Sequence, residues 1–125
     1  MQLNLGALMR VVLVVRDFTR SVHFYERVLG LAKVEERRGW AVFRTGDILL
    51  CLRGPWTGMP FDLHGVGQSP DELLFLVADA DTARRALEAR GIEVQAVHEP
   101  GPGLRVAEFR DPDGRRIAIE ERSTS

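Results

Sequence analysis

The chain has 125 residues, of which 45% are apolar and 28% are charged, and its 17 basic and 18 acidic residues leave a net charge of -1. This length suits one domain with a buried core, and the balanced charge argues against a protein that binds nucleic acid or an anionic membrane. The single cysteine, Cys51, excludes an internal disulfide and a zinc site built from several thiolates. The absence of a long apolar run near the N-terminus favours a cytoplasmic location.

The first half of the chain predicts a strand, a helix and three further strands. Residues 8–15 are apolar and β-branched, which is typical of a largely buried strand. Asp17 or Thr19 is expected to cap the following helix by accepting hydrogen bonds from its free amides, and Gly30 is expected to end it. Apolar residues recur between them at helical spacing, at Phe18, Val22, Tyr25, Val28 and Leu29. Turn signals then separate strands predicted over residues 31–37, 40–44 and 47–53.

The second half repeats this order. Asp79 follows Asp17 by 62 residues, and Gly91 follows Gly30 by 61. Asp79 or Asp81 is expected to cap the second helix, Gly91 is expected to end it, and strands are predicted over residues 92–97, 105–110 and 115–121. We therefore expect one domain over residues 1–125, with module one at 7–53, a Gly- and Pro-rich linker at 54–70 and module two at 71–122.

Several short sequence motifs resemble those of one protein family. They are Val15-Arg16-Asp17, Ser21-Val22-His23-Phe24-Tyr25 and Val28-Leu29-Gly30-Leu31 in the first half, and Phe109-Arg110-Asp111-Pro112-Asp113-Gly114 and Ile117-Ala118-Ile119-Glu120 in the second. With the doubled βαβββ order, they resemble the vicinal oxygen chelate superfamily of glyoxalase I, extradiol dioxygenases and fosfomycin- and bleomycin-resistance proteins. The resemblance implies an α+β fold in which two βαβββ modules form an open, curved, β-barrel-like cavity. It also implies a homodimer.

The resemblance further implies where a divalent metal would be held. Enzymes of this family use His and Glu side chains from the first and last strands of each module. The matching positions here are Arg10, Cys51, Glu72 and Ala118. Arginine stays protonated and alanine has no donor, so at most two ligands remain where a catalytic metal normally has about three. We therefore expect no metal and no other cofactor.

Arg10 and Glu72 occupy matching positions in the two modules, and two readings of them are open. In the first they form an ion pair that replaces the metal, and in the second Arg10 clamps a carboxylate or phosphate of a ligand. In the second reading Glu72 orients the arginine or acts as a base, which makes it a weak candidate for a catalytic residue.

Other candidate ligand contacts are aromatic or lie in the linker. Trp40, Trp56 and Phe61 offer flat apolar faces to a planar or cationic ligand, with core or dimer packing as the alternative. In the resembling family this linker often borders the cavity, so the resemblance makes His64 the best placed of the three histidines, with a solvated loop position as its alternative. Cys51 lies in an apolar strand without an evident histidine partner, which is typical of an inert buried thiol.

These residues favour a protein that binds a small planar or anionic molecule without a catalytic metal, as bleomycin-resistance proteins do by resemblance. The rival function is an enzyme of the same family (a lyase, isomerase or dioxygenase) with an unconventional metal or a metal-free acid–base site. A third alternative is a structural module without a ligand.

Overall fold

The computed structural model describes residues 2–123, in which seven strands and two α-helices form two compact units that divide after Phe61. The α+β fold class predicted from the sequence is confirmed, and the sheets are not closed. Neither helix in this range is long and apolar enough to cross a membrane.

The first unit contains a four-stranded sheet. Its strands are β1 (Arg10–Val14), β2 (Ala32–Arg37), β3 (Trp40–Thr45) and β4 (Ile48–Arg53). The strand order is β1-β4-β3-β2, with β1 and β4 parallel and the other neighbours antiparallel.

Helix α1 (Phe18–His23) connects β1 to β2 in the first unit. Asp17, rather than Thr19, caps it, because the Asp17 carboxylate accepts a hydrogen bond of 3.1 Å from the Arg20 amide. The helix continues as a π-helical turn over Phe24–Val28, and Gly30, with φ of 74°, ends it as predicted.

One face of the first sheet carries the core of this unit. Alternation along the strands places Phe43, Leu50 and Leu52 on that face, and all three are buried with Tyr25 and Val22 of the helix. Burial of each of these large side chains contributes about 1.5–3 kcal/mol, so this layer fixes the orientation of the sheet. The opposite face of this sheet carries the remaining side chains of β1, β3 and β4.

The second unit has a three-stranded sheet. Its strands are β5 (Glu72–Leu76), β6 (Leu104–Arg110) and β7 (Arg116–Arg122), in the order β5-β7-β6. Helix α2 (Ala80–Ala89) follows β5, and the Asp79 carboxylate caps it by accepting a hydrogen bond of 2.9 Å from the Thr82 amide. Its buried Leu87 joins the core residues Phe109 and Ile117 of the sheet.

The strand predicted over residues 92–97 is wrong. This segment meets β6 at two points, where the Gln95 amide donates to the Glu108 carbonyl and where His98 and Val106 exchange both backbone hydrogen bonds. Three residue steps separate Gln95 from His98, whereas only two separate Val106 from Glu108. The extra residue is a β-bulge that interrupts the ladder, which explains why an alternating apolar sequence does not form a regular strand.

A hydrogen-bonded turn joins β6 to β7. The Asp111 carboxylate is fully buried and accepts hydrogen bonds of 2.9 Å from the amides of Asp113 and Arg115 and one of 2.7 Å from the Arg115 guanidinium. Gly114 has φ of 81°, and a Cβ atom there would lie 3.2 Å from the Cα of Gly67. The Asp-Pro-Asp-Gly sequence therefore builds this turn, and its first carboxylate is the centre of it.

Candidate functional site

The face of the first sheet opposite the core carries most of the side chains singled out from the first half of the sequence. Strand register places three residues from each of β1, β4 and β3 on this face. We call it the arginine face, and it consists of Arg10, Val12, Val14, Leu49, Cys51, Arg53, Trp40, Val42 and Arg44.

These residues form three rows across the strands. The first row is Arg10, Leu49 and Arg44; the second is Val12, Cys51 and Val42; the third is Val14, Arg53 and Trp40. Neighbouring strands lie about 4.8 Å apart, which separates the backbone positions of Arg10 and Arg44 by roughly 10 Å. An apolar row thus lies between two rows that carry arginine.

The arginines of this face have no carboxylate partner in the part of the chain that the structure describes. Arg10, Arg44 and Arg53 are exposed, and no acidic group among residues 2–123 lies within ion-pair distance of any of them. Their positive charges are therefore available to an anion. By contrast, Arg37, at the edge of this face on β2, is paired with Glu35.

An aromatic cluster extends the third row. The Arg53 guanidinium lies 3.6 Å from the centre of the Trp56 ring, and the Trp56 and Phe61 rings meet edge to face with centroids 5.5 Å apart. Trp40 is the register partner of Arg53. Arg53 thus has Trp40 as its register partner and Trp56 against its guanidinium, with Phe61 packed on Trp56; Arg53 was not among the residues predicted from the sequence. The feature that could have identified Arg53 is the antiparallel pairing of β3 with β4, because it places Arg53 opposite Trp40.

Cys51 lies in the middle row and is fully buried. Burial raises the pKa of its thiol, the charge of Arg10 acts to lower that pKa, and Glu35 acts to raise it. Since the net shift is upward, the thiol stays protonated near neutral pH, and it is a poor nucleophile or metal ligand in this state.

Glu72 is part of an ion-pair network in the second unit. Its carboxylate lies 3.1 Å from the guanidinium of Arg116, its register neighbour on β7, and the same guanidinium lies 3.2 Å from Glu108. The structure thus gives Glu72 a basic partner other than Arg10. As one arm of this network, Glu72 is not a free base.

The three histidines are all exposed. The side chain of His64 is 91% exposed, and its nearest charged neighbour is Asp62, at 3.8 Å. His23 lies on α1, and His98 pairs with the edge of β6 through its backbone. None of these rings belongs to a cluster of possible metal ligands in the described part of the chain.

The four positions that resemble a metal site do not supply a donor set. Arg10 is cationic, Cys51 is buried with a raised thiol pKa, Glu72 is bound to Arg116, and Ala118 has no donor atom. Within residues 2–123, no three His, Cys, Asp or Glu side chains lie close enough together to hold a metal ion. The residues present therefore do not fit a catalytic divalent metal.

Comparisons with known proteins agree on the family. The model of the Glyoxalase/Bleomycin resistance protein/Dioxygenase superfamily matches residues 7–119. The uncharacterized protein YraH of Bacillus subtilis is 33% identical over 122 residues, covering 90% of this chain and 95% of its own.

Two solved structures extend the comparison. A lactoylglutathione lyase from Agrobacterium tumefaciens is 25% identical with a TM-score of 0.76, over 94% of this chain and 95% of that one. TnmS3, an antibiotic binding protein from Streptomyces sp. CB03234, is 24% identical with a TM-score of 0.78, over 98% of this chain and all of that one. These two structures share the fold, and the match of the family model over residues 7–119 shows that the chain belongs to the Glyoxalase/Bleomycin resistance protein/Dioxygenase superfamily.

Proposed function

We propose that this protein binds a small molecule with a planar ring and an anionic group on the arginine face, without a catalytic metal. The observation that carries the proposal is the set of three arginines that have no carboxylate partner among the described residues, Arg10, Arg44 and Arg53, on either side of an apolar row. An arginine fork recognises a carboxylate or phosphate with two parallel hydrogen bonds. Three such groups on one face favour an anion.

The aromatic cluster supports the planar part of the ligand. Arg53 is held against Trp56, and Trp56 against Phe61, so these groups are ordered before a ligand arrives. A ring placed beside Trp40 would contact an aromatic surface and the Arg53 cation together. Val12, which is 45% exposed, extends the apolar contact toward Arg10.

Metal independence is a proposal supported by the unsuitable donor set. Its test is a titration of the purified protein with Zn²⁺, Ni²⁺, Mn²⁺ or Fe²⁺ while the melting temperature is recorded. We expect no rise, because a metal that binds only the folded state would stabilise it. One metal per chain with a raised melting temperature would contradict the proposal and favour the rival function, an enzyme of the glyoxalase or dioxygenase kind.

The named relatives do not decide between binding and catalysis. TnmS3 is an antibiotic binding protein, but at 24% identity its likeness shows the fold alone. The Agrobacterium structure is a lactoylglutathione lyase, and catalysis of that kind needs a metal or a poised base. The pairing of Glu72 with Arg116 favours binding over acid–base catalysis in this chain.

The binding proposal is tested by quenching of tryptophan fluorescence with a panel of aromatic carboxylates and aryl phosphates. We expect a panel member to quench, with affinity reduced about tenfold or more in Arg10→Ala and in Arg53→Ala, since each loses charge-assisted hydrogen bonds. Arg27→Ala is the matched control, because Arg27 is 73% exposed and lies on the helix side of this unit. Unchanged affinity in both test variants would refute the role of the arginine face.

We infer also that the protein is a homodimer. Leu74 and Leu76 on β5, the edge strand of the second sheet, are 47% and 73% exposed, which is unfavourable for an isolated chain. Sedimentation equilibrium is expected to give the dimer mass, and Leu76→Lys is expected to shift it toward the monomer. A monomer mass for the unmodified protein at micromolar concentration would contradict this inference.

A further inference from the structure

The second unit contains a cavity that its own residues line. It has a volume of about 350 Å³ and lies between the segment that follows α2 and the end of β6. The polar groups around it belong to Glu93, Gln95, Glu108, Arg110 and Arg116.

The cavity exists because this segment diverges from the sheet. Along the chain, Gln95 is the first residue of this segment that makes a backbone hydrogen bond to β6. Within the described part of the chain, no backbone hydrogen bond joins residues 91–94 to that strand. Other contacts hold the segment toward α2, since the Ile92 amide donates to the Leu87 carbonyl at 3.1 Å and Arg84 donates to the Val94 carbonyl at 3.2 Å. The cavity walls are thus fixed by hydrogen bonds.

Two of the four charged side chains around the cavity pair with each other, and one of each sign remains. Arg116 is paired with Glu108 and Glu72. Within residues 2–123, Arg110 donates only to the neutral carbonyls of Gly114 and Gly67, at 3.0 and 3.3 Å, so its charge has no carboxylate partner there.

Glu93 is exposed on the other wall, and no basic side chain among residues 2–123 lies within ion-pair distance of it. The cavity therefore presents one free positive charge from β6 and one free negative charge from the segment opposite.

We propose that this cavity binds a small neutral zwitterion of the free amino-acid class. The ligand carboxylate pairs with Arg110, and the ligand ammonium group pairs with Glu93. The cavity volume lies at the small end of ligand pockets, which span about 300–1,000 Å³, so it suits a single amino acid rather than a long peptide. A molecule with only one of the two charges leaves the opposite charge of the cavity unpaired and is disfavoured.

The test uses amide chemical shifts of the ¹⁵N-labelled full chain with L-leucine, L-glutamine and L-alanine as probes. At least one probe is expected to shift the amides of Gly91, Gln95 and Arg110 in a saturable way at millimolar concentration. N-acetyl-L-leucine and L-leucinamide, which each lack one charge, are expected to bind about tenfold or more weakly than L-leucine. The proposal would be overturned if none of the three amino acids shifts these amides. It would also be overturned if N-acetyl-L-leucine or L-leucinamide binds as tightly as L-leucine.

Two variants locate the binding. Glu93→Gln removes the free carboxylate from an exposed position and is expected to weaken binding about tenfold or more without altering the fold. Arg110→Met is expected to do the same, and a spectrum otherwise like that of the unmodified protein establishes that it is folded. Glu99→Gln, at an exposed position outside the cavity, is the matched control. Unchanged affinity in Glu93→Gln would refute the assignment of the ammonium site.

Discussion

Replacement of Asp111 by alanine is expected to destabilise the second unit more than most single substitutions. The carboxylate is fully buried and accepts hydrogen bonds from the amides of Asp113 and Arg115 and from the Arg115 guanidinium. Hydrogen bonds to a charged group contribute about 1.5–3 kcal/mol each, but they are not additive within one turn. Loss of one partner of a buried ion pair typically costs about 3–5 kcal/mol, and we expect a loss in this range.

The assay is urea unfolding followed by far-ultraviolet circular dichroism. Asp47→Ala is the matched control, because Asp47 is an exposed aspartate in the turn between β3 and β4, and it should change the free energy of unfolding by less than about 0.5 kcal/mol. Asp111→Asn retains one acceptor oxygen and should give an intermediate loss. If Asp111→Ala costs less than about 1 kcal/mol, the buried carboxylate does not hold the turn and the reasoning is refuted.

Three further predictions concern the cap of α2, the Cys51 thiol and the turn between β6 and β7. The hydrogen bond from the Thr82 amide holds the pKa of Asp79 below its usual 3.8, so the stabilisation by Asp79 is present above that pH and is lost as the pH falls below it. Melting curves of Asp79→Ala should therefore differ most from those of the unmodified protein near neutral pH, and a constant difference into acid would contradict this. Because burial raises the pKa of the Cys51 thiol, Ellman's reagent should react slowly with the folded protein and rapidly in urea; fast reaction of the folded protein would count against it. Gly114→Ala should lower the melting temperature, since φ is 81° and the new Cβ would lie 3.2 Å from Gly67, whereas an unchanged melting temperature would show that the turn can relax.

Much of the fold follows from local signals in the sequence. Asp17 and Asp79 precede amphipathic segments and cap the two helices, and Gly30 and Gly91 adopt the positive φ that ends them. These signals depend on the chemistry of one residue and its near neighbours, so they can be read without knowledge of the tertiary structure. The strand predicted over residues 92–97 failed because a bulge depends on how the segment pairs with β6, which alternation of residue types does not encode.

The candidate site was less predictable because it depends on register. Trp40, Trp56 and Phe61 were recognised as aromatic residues, but the pairing of Trp40 with Arg53 follows only from the alignment of β3 with β4. The partner of Glu72 was also not predictable. Arg116 lies 44 residues away and reaches Glu72 because β5 and β7 are parallel neighbours.

The corresponding faces of the two sheets carry opposite charges at matching positions. Parallel pairing of the first and last strands makes Arg10 of the first unit equivalent to Glu72 of the second, and Arg53 equivalent to Glu120. The acidic residues are neutralised within their own unit, Glu72 by Arg116 and Glu120 by Arg122, whereas Arg10 and Arg53 have no acidic partner in the described chain. At these matching positions an anion therefore gains attraction from Arg10 and Arg53 of the first sheet and none from Glu72 and Glu120 of the second, where Arg110 supplies the positive charge of the amino-acid cavity, so ligand binding at the arginine face and at the cavity is expected to respond to different substitutions.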